Sequence, residues 1–118
     1  FIVIDAAMNN LIRPTLYDAY HEIEPVKKIP GKEIVADIVG PICETGDFIA
    51  LSRKMTEAKN SDLLTIRTTG AYASVMKSNY NARVDAVEIL IYKGKSYHLK
   101  KIDTIKDIIA KERLIEFI

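Results

Sequence analysis

Four short stretches of the chain carry residue types able to do chemistry. In Cys43-Glu44-Thr45-Gly46-Asp47 a thiol stands beside a carboxylate, in a segment bracketed by Pro41 and Gly46. A neighbouring carboxylate opposes the thiolate charge and raises a thiol's pKa. Such a cysteine is a poor nucleophile but a usable proton donor. The alternative is a buried structural cysteine, one of the most buried residue types, and the residues alone favour it. In Arg13-Pro14-Thr15-Leu16-Tyr17 the first and last residues are four apart, which puts them on one face of a helical turn. A guanidinium grips a carboxylate bidentately and a phenol adds a neutral hydrogen bond, so the pair could clamp an acidic substrate. A surface arginine packed over a tyrosine ring is the commoner case for such a pair in isolation. Tyr72 follows a Gly70-Ala71 step and could present its hydroxyl to a phosphate or a ring; a core tyrosine is the default. Ser78-Asn79-Tyr80-Asn81, with Arg83 behind it, is a weaker candidate, since asparagines in turns usually bond their own backbone. His21 and His98 have no partner at metal-ligand spacing, so no metal site is expected.

The elements that must position these residues are short. Phe1 to Ile4 reads as a buried strand, and 6–10 as a turn. Pro14 suits the first turn of a helix running through Leu16, Tyr17 and Ala19. His21 to Val26 reads as extended, with Pro25 marking an edge or strand end. Lys27 to Lys32 is a loop punctuated by Pro30-Gly31. Glu33 to Gly40 is expected to be a strand buried on much of both faces, Phe48 to Leu51 a short strand, and Arg53 to Asp62 a solvated loop. Asp62 to Arg67 and, weakly, Ala71 to Val75 read as strands, with 77–82 turn-like. Ala86 to Tyr92 is a strong strand, and Lys93-Gly94-Lys95 turns it into Ser96 to Leu99. Thr104 and Asp107 have the shape of a capping box, opening a helix to about Arg113. Six or more short strands and one terminal helix predict a mainly-β sandwich or barrel.

Composition bounds the function. The chain has 118 residues, which fits one domain over 1–118, and 48% are hydrophobic. Seventeen basic and 16 acidic residues leave a net charge of +1. That is no global basic field, so composition argues against a dedicated nucleic-acid binder. No apolar run approaches the ~20 residues of a membrane span, and no membrane partner is expected. The single cysteine excludes an internal disulfide and a multi-thiolate metal site, and it favours a reducing, cytoplasmic location. The opening Phe1-Ile2-Val3-Ile4-Asp5 lacks both an initiator Met and the basic start of a signal peptide. It reads as a piece of a longer protein starting inside a strand, with a processed terminus as the alternative.

Taken in order, the blocks Ile4-Asp5-Ala6-Ala7-Met8-Asn9-Asn10-Leu11-Ile12-Arg13-Pro14, Leu16-Tyr17-Asp18-Ala19-Tyr20-His21, Val39-Gly40-Pro41-Ile42-Cys43-Glu44-Thr45-Gly46-Asp47, Gly70-Ala71-Tyr72 and Ser78-Asn79-Tyr80-Asn81 resemble the C-terminal half of the diaminopimelate decarboxylases. The resemblance runs from residue 1 to about residue 92, and the order and spacing of the blocks make it specific. It implies the C-terminal β domain of a two-domain pyridoxal-phosphate enzyme of the alanine-racemase-like fold type. The other domain is an N-terminal (β/α)8 barrel, absent from this chain, that holds the Schiff-base lysine and most of the phosphate-binding loop. The piece alone is therefore expected to be inactive. Thr45, Ala7 and Val84 stand where serine, glycine and proline are commoner in the family. The first keeps the hydroxyl, and the other two bear on local loop geometry.

The resemblance also assigns roles. Arg13 and Tyr17 would bind substrate, the arginine holding the distal carboxylate of meso-diaminopimelate. Cys43 and Glu44 would cross a homodimer interface into the partner's site. There the thiol would help protonate the carbanion left by CO2 loss, and Glu44 would hold a substrate ammonium. Tyr72 would contact the cofactor and the substrate, with pyridoxal phosphate as the electron sink. Two rivals remain. One is an ornithine- or arginine-type decarboxylase, which would want an acidic group near Arg13; Asp18 is the nearby candidate and its spacing is wrong. The other is a catalytically silent oligomerisation domain of the same fold, which need not keep Cys43, Glu44, Arg13 and Tyr72 together.

Overall fold

The structure, a computed structural model, describes residues 1–28 and 30–115. Two compact units divide the chain, Phe1–Lys77 and Ser78–Ile118, and each is described by itself.

Among the described residues the first unit holds five strands: β1 (Ile2–Val3), β2 (Ile23–Pro25), β3 (Glu33–Val39), β4 (Phe48–Thr56) and β5 (Leu64–Ile66). Two short helices complete it, α1 (Arg13–Tyr17) and α2 (Ala73–Met76). One sheet has the order β1-β3-β4, with β1 parallel and β4 antiparallel to β3; β2 and β5 pair antiparallel in a second. The core of this unit is Leu11, Ile23, Ile38, Ile49, Ala50 and Met55, against which Ile2, Ile4, Leu64, Ile66 and Ala73 pack. The mainly-β expectation is borne out, and the described strands form separate open sheets rather than a closed barrel.

Several local expectations are corrected. β1 is an edge strand with one covered face: Ile2 and Ile4 pack on the core, whereas Phe1 and Val3 are exposed. β3 is likewise buried on one face, with Ile38 fully enclosed and Val35 68% exposed. Arg53 to Thr56, expected in a solvated loop, continues β4, where Val35 pairs with Lys54 and Ile34 with Met55. An antiparallel sheet with one solvated face accepts charges on it, and here Lys54 meets Glu33 at 2.9 Å while Met55 alone of the four turns into the core. The weak strand at 71–75 is instead helix α2, opened by a left-handed Tyr72 at φ 68° and ψ −20°, with Met76 N–H donating to the Tyr72 carbonyl at 2.9 Å. Ala and Met favour helix over strand, and this stretch lacks the alternation a strand needs.

The second unit holds the hairpin β6 (Ile89–Tyr92) and β7 (Lys95–His98), joined through Lys93 and Gly94, and helix α3 (Ile105–Ile109). The hairpin turn lies where the sequence puts it, although β6 starts three residues later than expected. A 3-10 turn covers Tyr80–Ala82, and Asn79 Nδ2 donates to the Arg83 carbonyl at 2.9 Å, the local backbone bonding expected of such an asparagine. No described residue of this unit is buried.

The capping box of α3 is present: Asp107 N–H donates to Thr104 Oγ1, and the Asp107 carboxylate accepts from Thr104 N–H at 2.8 Å. The helix ends at Ile109, short of Arg113. The Thr104 hydroxyl, then the Lys101 ammonium at 2.9 Å, hold the Asp107 carboxyl well below the usual carboxylate range. A depressed folded-state pKa gives a contribution that is full above the ordinary carboxylate pKa and is lost as pH falls through the folded value. Acidification should therefore fray α3, and only at a pH below that at which a free aspartate titrates. Carboxyl 13C chemical shifts across an acid titration check this; an Asp107 midpoint at the free-aspartate value contradicts it.

Candidate functional site

All five expected site residues, Arg13, Tyr17, Cys43, Glu44 and Tyr72, lie in the first unit. Arg13 and Tyr17 are the end residues of α1. Pro14 occupies the first turn, where its missing N–H costs nothing, and is buried. Asp18 closes the helix in a left-handed conformation, its N–H donating to the Arg13 carbonyl. This leaves Tyr17 60% exposed and Arg13 half-buried. The Arg13 guanidinium carbon lies 5.9 Å from the centroid of the Tyr72 ring, a cation–π contact across almost sixty residues that the spacing of Arg13 and Tyr17 did not suggest. Tyr72 is itself 62% exposed. Its positive φ is uncommon for an aromatic residue, and such strain clusters at functional positions. Tyr72 thus stands at the N-terminal end of a helical turn.

Cys43 and Glu44 sit on the connection between β3 and β4. The Cys43 thiol is exposed, so the buried structural alternative is overturned. Backbone bonds close the turn: Gly40 N–H to the Asp47 carbonyl at 3.0 Å, Glu44 N–H to Ile42 at 2.8 Å, and Asp47 N–H to Glu44 at 3.0 Å. The Glu44 carboxylate accepts from Thr45 Oγ1 at 3.2 Å and Gly46 N–H at 3.3 Å, so it folds over its own turn while remaining exposed. A thiol and a carboxylate therefore stand side by side on one solvent-facing turn.

Two residues outside the expected set bind these segments together. Asp47 is buried, and its carboxylate accepts from Met8 N–H at 2.7 Å and from Ile42 N–H at 2.6 Å. The Thr15 hydroxyl of α1 donates to the Gly46 carbonyl, and a Cβ on Gly46 would come within 2.8 Å of Thr15 Cγ2. Helix α1 thereby touches the cysteine turn. The sequence carried one signal for this, a carboxylate closing a Pro- and Gly-bounded turn. The Met8 and Thr15 contacts are long-range and had none. His21 is also buried, with Nδ1 3.0 Å from the Arg67 carbonyl oxygen. Among the described residues no group of three or more His, Cys, Asp or Glu could hold a metal, and no helix is long and apolar enough to cross a membrane.

The chain has counterparts among known proteins. Residues 1–70 match the family described as the pyridoxal-dependent decarboxylase C-terminal sheet domain, and this chain belongs to that family. Within it, the chain is similar to the diaminopimelate decarboxylase of Aquifex aeolicus, with 50% identity over 101 residues, 86% of this chain and 24% of that protein. It superimposes on a crystal structure of an Aquifex aeolicus protein with a TM-score of 0.90 at 46% identity, covering 93% of this chain and 27% of the other. It also superimposes on the M. jannaschii diaminopimelate decarboxylase in complex with L-lysine, with a TM-score of 0.89 at 34% identity, covering 96% and 26%. The chain thus spans about a quarter of the length of the relatives it matches.

Proposed function

We propose that the 118 residues serve as the C-terminal domain of a pyridoxal-phosphate-dependent diaminopimelate decarboxylase, which converts meso-2,6-diaminopimelate to L-lysine and CO2. The single observation that carries the reading is the thiol–acid turn, Cys43-Glu44, hydrogen-bonded through Gly46 to the helix that bears Arg13. In this reading an N-terminal barrel domain provides the other wall of the pocket, and a second copy of the protein receives Cys43 and Glu44 in a homodimer.

The residues present fit the cofactor as one wall of its site. The exposed Tyr72 phenol offers a hydroxyl and a ring, and the Arg13 guanidinium beside it offers positive charge to an anionic group. Pyridoxal phosphate, when bound, supplies the electron sink for loss of CO2. The chain's own residues do the rest. Arg13 grips the substrate carboxylate that does not react, and its planar fork fixes the substrate's length and direction. Tyr17 adds a neutral hydrogen bond at the same end. Glu44 holds a substrate ammonium. Cys43 Sγ carries the proton that replaces the departing CO2. Cys43 and Glu44 are exposed on an otherwise tied turn, and water must leave for the charges of the site to act at full strength.

The test is the full-length protein assayed for CO2 release. We expect release from meso-diaminopimelate that depends on added pyridoxal phosphate, with little from ornithine. Preference for ornithine would contradict the substrate assignment. No release from either, with the cofactor bound, would favour a silent oligomerisation domain.

A further inference from the structure

The geometry points to Asp47 as a positioning residue. Its buried carboxylate fixes the Cys43-Glu44 turn against the Met8 turn, and the Thr15 hydroxyl then ties that turn to the helix carrying Arg13 and Tyr17. The inference rests on the proposed function for its catalytic consequence but not for its geometry. One carboxylate oxygen takes Ile42 N–H, at the residue before the thiol, and the other takes Met8 N–H, 39 residues away in the chain. Charge-assisted bonds to amides are shorter and stronger than neutral ones, and two of them on a carboxylate that is only 4% exposed define one position for it. The fit is tight. A Cβ on Gly40 would fall 2.4 Å from Asp47 Oδ2, so glycine at that position is what leaves room for the carboxylate. The Thr15 bond to the Gly46 carbonyl lies one residue before Asp47. Arg13 and Cys43, thirty residues apart in the chain, are thus held through a short relay of hydrogen bonds. Asp47 points into the fold and touches no reacting group; its effect on the chemistry passes through the thiol turn.

Asn is the informative replacement, since it has the shape of Asp but only one accepting oxygen. Its amide nitrogen must face either the Met8 or the Ile42 N–H. In full-length protein, Asp47→Asn should speed amide hydrogen exchange in residues 5–12 and 40–47 while leaving β2 and β5 protected. It should change the rate at which iodoacetamide alkylates Cys43, read on that cysteine's own peptide by mass spectrometry. It should also lower kcat on meso-diaminopimelate by about tenfold or more with KM within about twofold, because a misplaced group loses rate before it loses binding. Unchanged exchange and alkylation would overturn the inference, and so would a loosened turn with kcat intact. If Asp47→Asn does not fold, Thr15→Val and Thr15→Ser decide: Val should reproduce the loosening, and Ser, which keeps the hydroxyl, should restore wild-type behaviour. A Val variant indistinguishable from wild type would overturn the latch. Should the wild-type protein fail to act on diaminopimelate, the proposed function fails, while exchange and alkylation still decide the positioning, since neither needs substrate.

Discussion

Replacing Cys43 with Ala in the full-length protein is expected to lower kcat on meso-diaminopimelate by about 10²-fold or more, with KM changed by less than about threefold. Positioned proton donors contribute ~10²–10⁴ to rate. A thiol that only donates a proton makes no large contribution to ground-state binding, so the loss should fall on turnover. The exposed thiol on a closed turn is what makes this a clean experiment, because removing it leaves no cavity in the core. Steady-state kinetics of the variant, with its thermal stability measured alongside, check it. A large rise in KM with kcat unchanged would make Cys43 a binding residue. No change in either would remove it from the site.

Arg13→Ala should act in the opposite sense. Truncating one partner of a desolvated charge pair costs ~2–5 kcal/mol, much of it for the charge left unpaired. The variant should therefore lose about 10²-fold or more in kcat/KM, chiefly through KM. Its preference for diaminopimelate over amino acids lacking a second carboxylate should shrink by a similar factor. The contact with Tyr72 refines the expectation. Arg13→Lys keeps the charge but not the planar fork, so it should recover only part of the loss. Kinetics on diaminopimelate and on single-carboxylate substrates measure both quantities. Equal losses on both kinds of substrate would mean that Arg13 supports the fold or Tyr72 rather than the distal carboxylate.

Much of this was legible in the residues because it is local. Pro14 marks the start of α1, Lys93-Gly94 the hairpin, and Thr104 with Asp107 the cap of α3; each acts within a few positions. Where local signals conflicted with packing, packing won. Met55 alone among charged neighbours carried the inward signal that extends β4, and Val35 looks like a core residue but faces solvent. The site divided the same way. The pairing of thiol and acid could be read directly, but whether the sulfur was buried could not, because exposure depends on how β3 and β4 are joined. Arg13 over Tyr72, Thr15 on Gly46 and Asp47 on Met8 link residues far apart in the chain, and no periodicity announces such contacts. The resemblance to a family singled out Arg13, Tyr17, Cys43, Glu44 and Tyr72 by order and spacing, whereas the Arg13–Tyr72 contact, the Thr15 latch and the Asp47 clamp emerged only from the structure.

In the proposed enzyme the thiol, its neighbouring acid, the guanidinium and the phenol complete one pocket. A crystal structure of the full-length protein with pyridoxal phosphate and L-lysine tests it most directly. Loss of CO2 from one end of diaminopimelate leaves a carboxylate at the other, so the account predicts the lysine carboxylate on the Arg13 guanidinium, with Cys43, Glu44 and Tyr72 lining the same cavity of the assembled protein. Lysine held by other residues, with Cys43 and Glu44 on a surface away from it, would contradict the account.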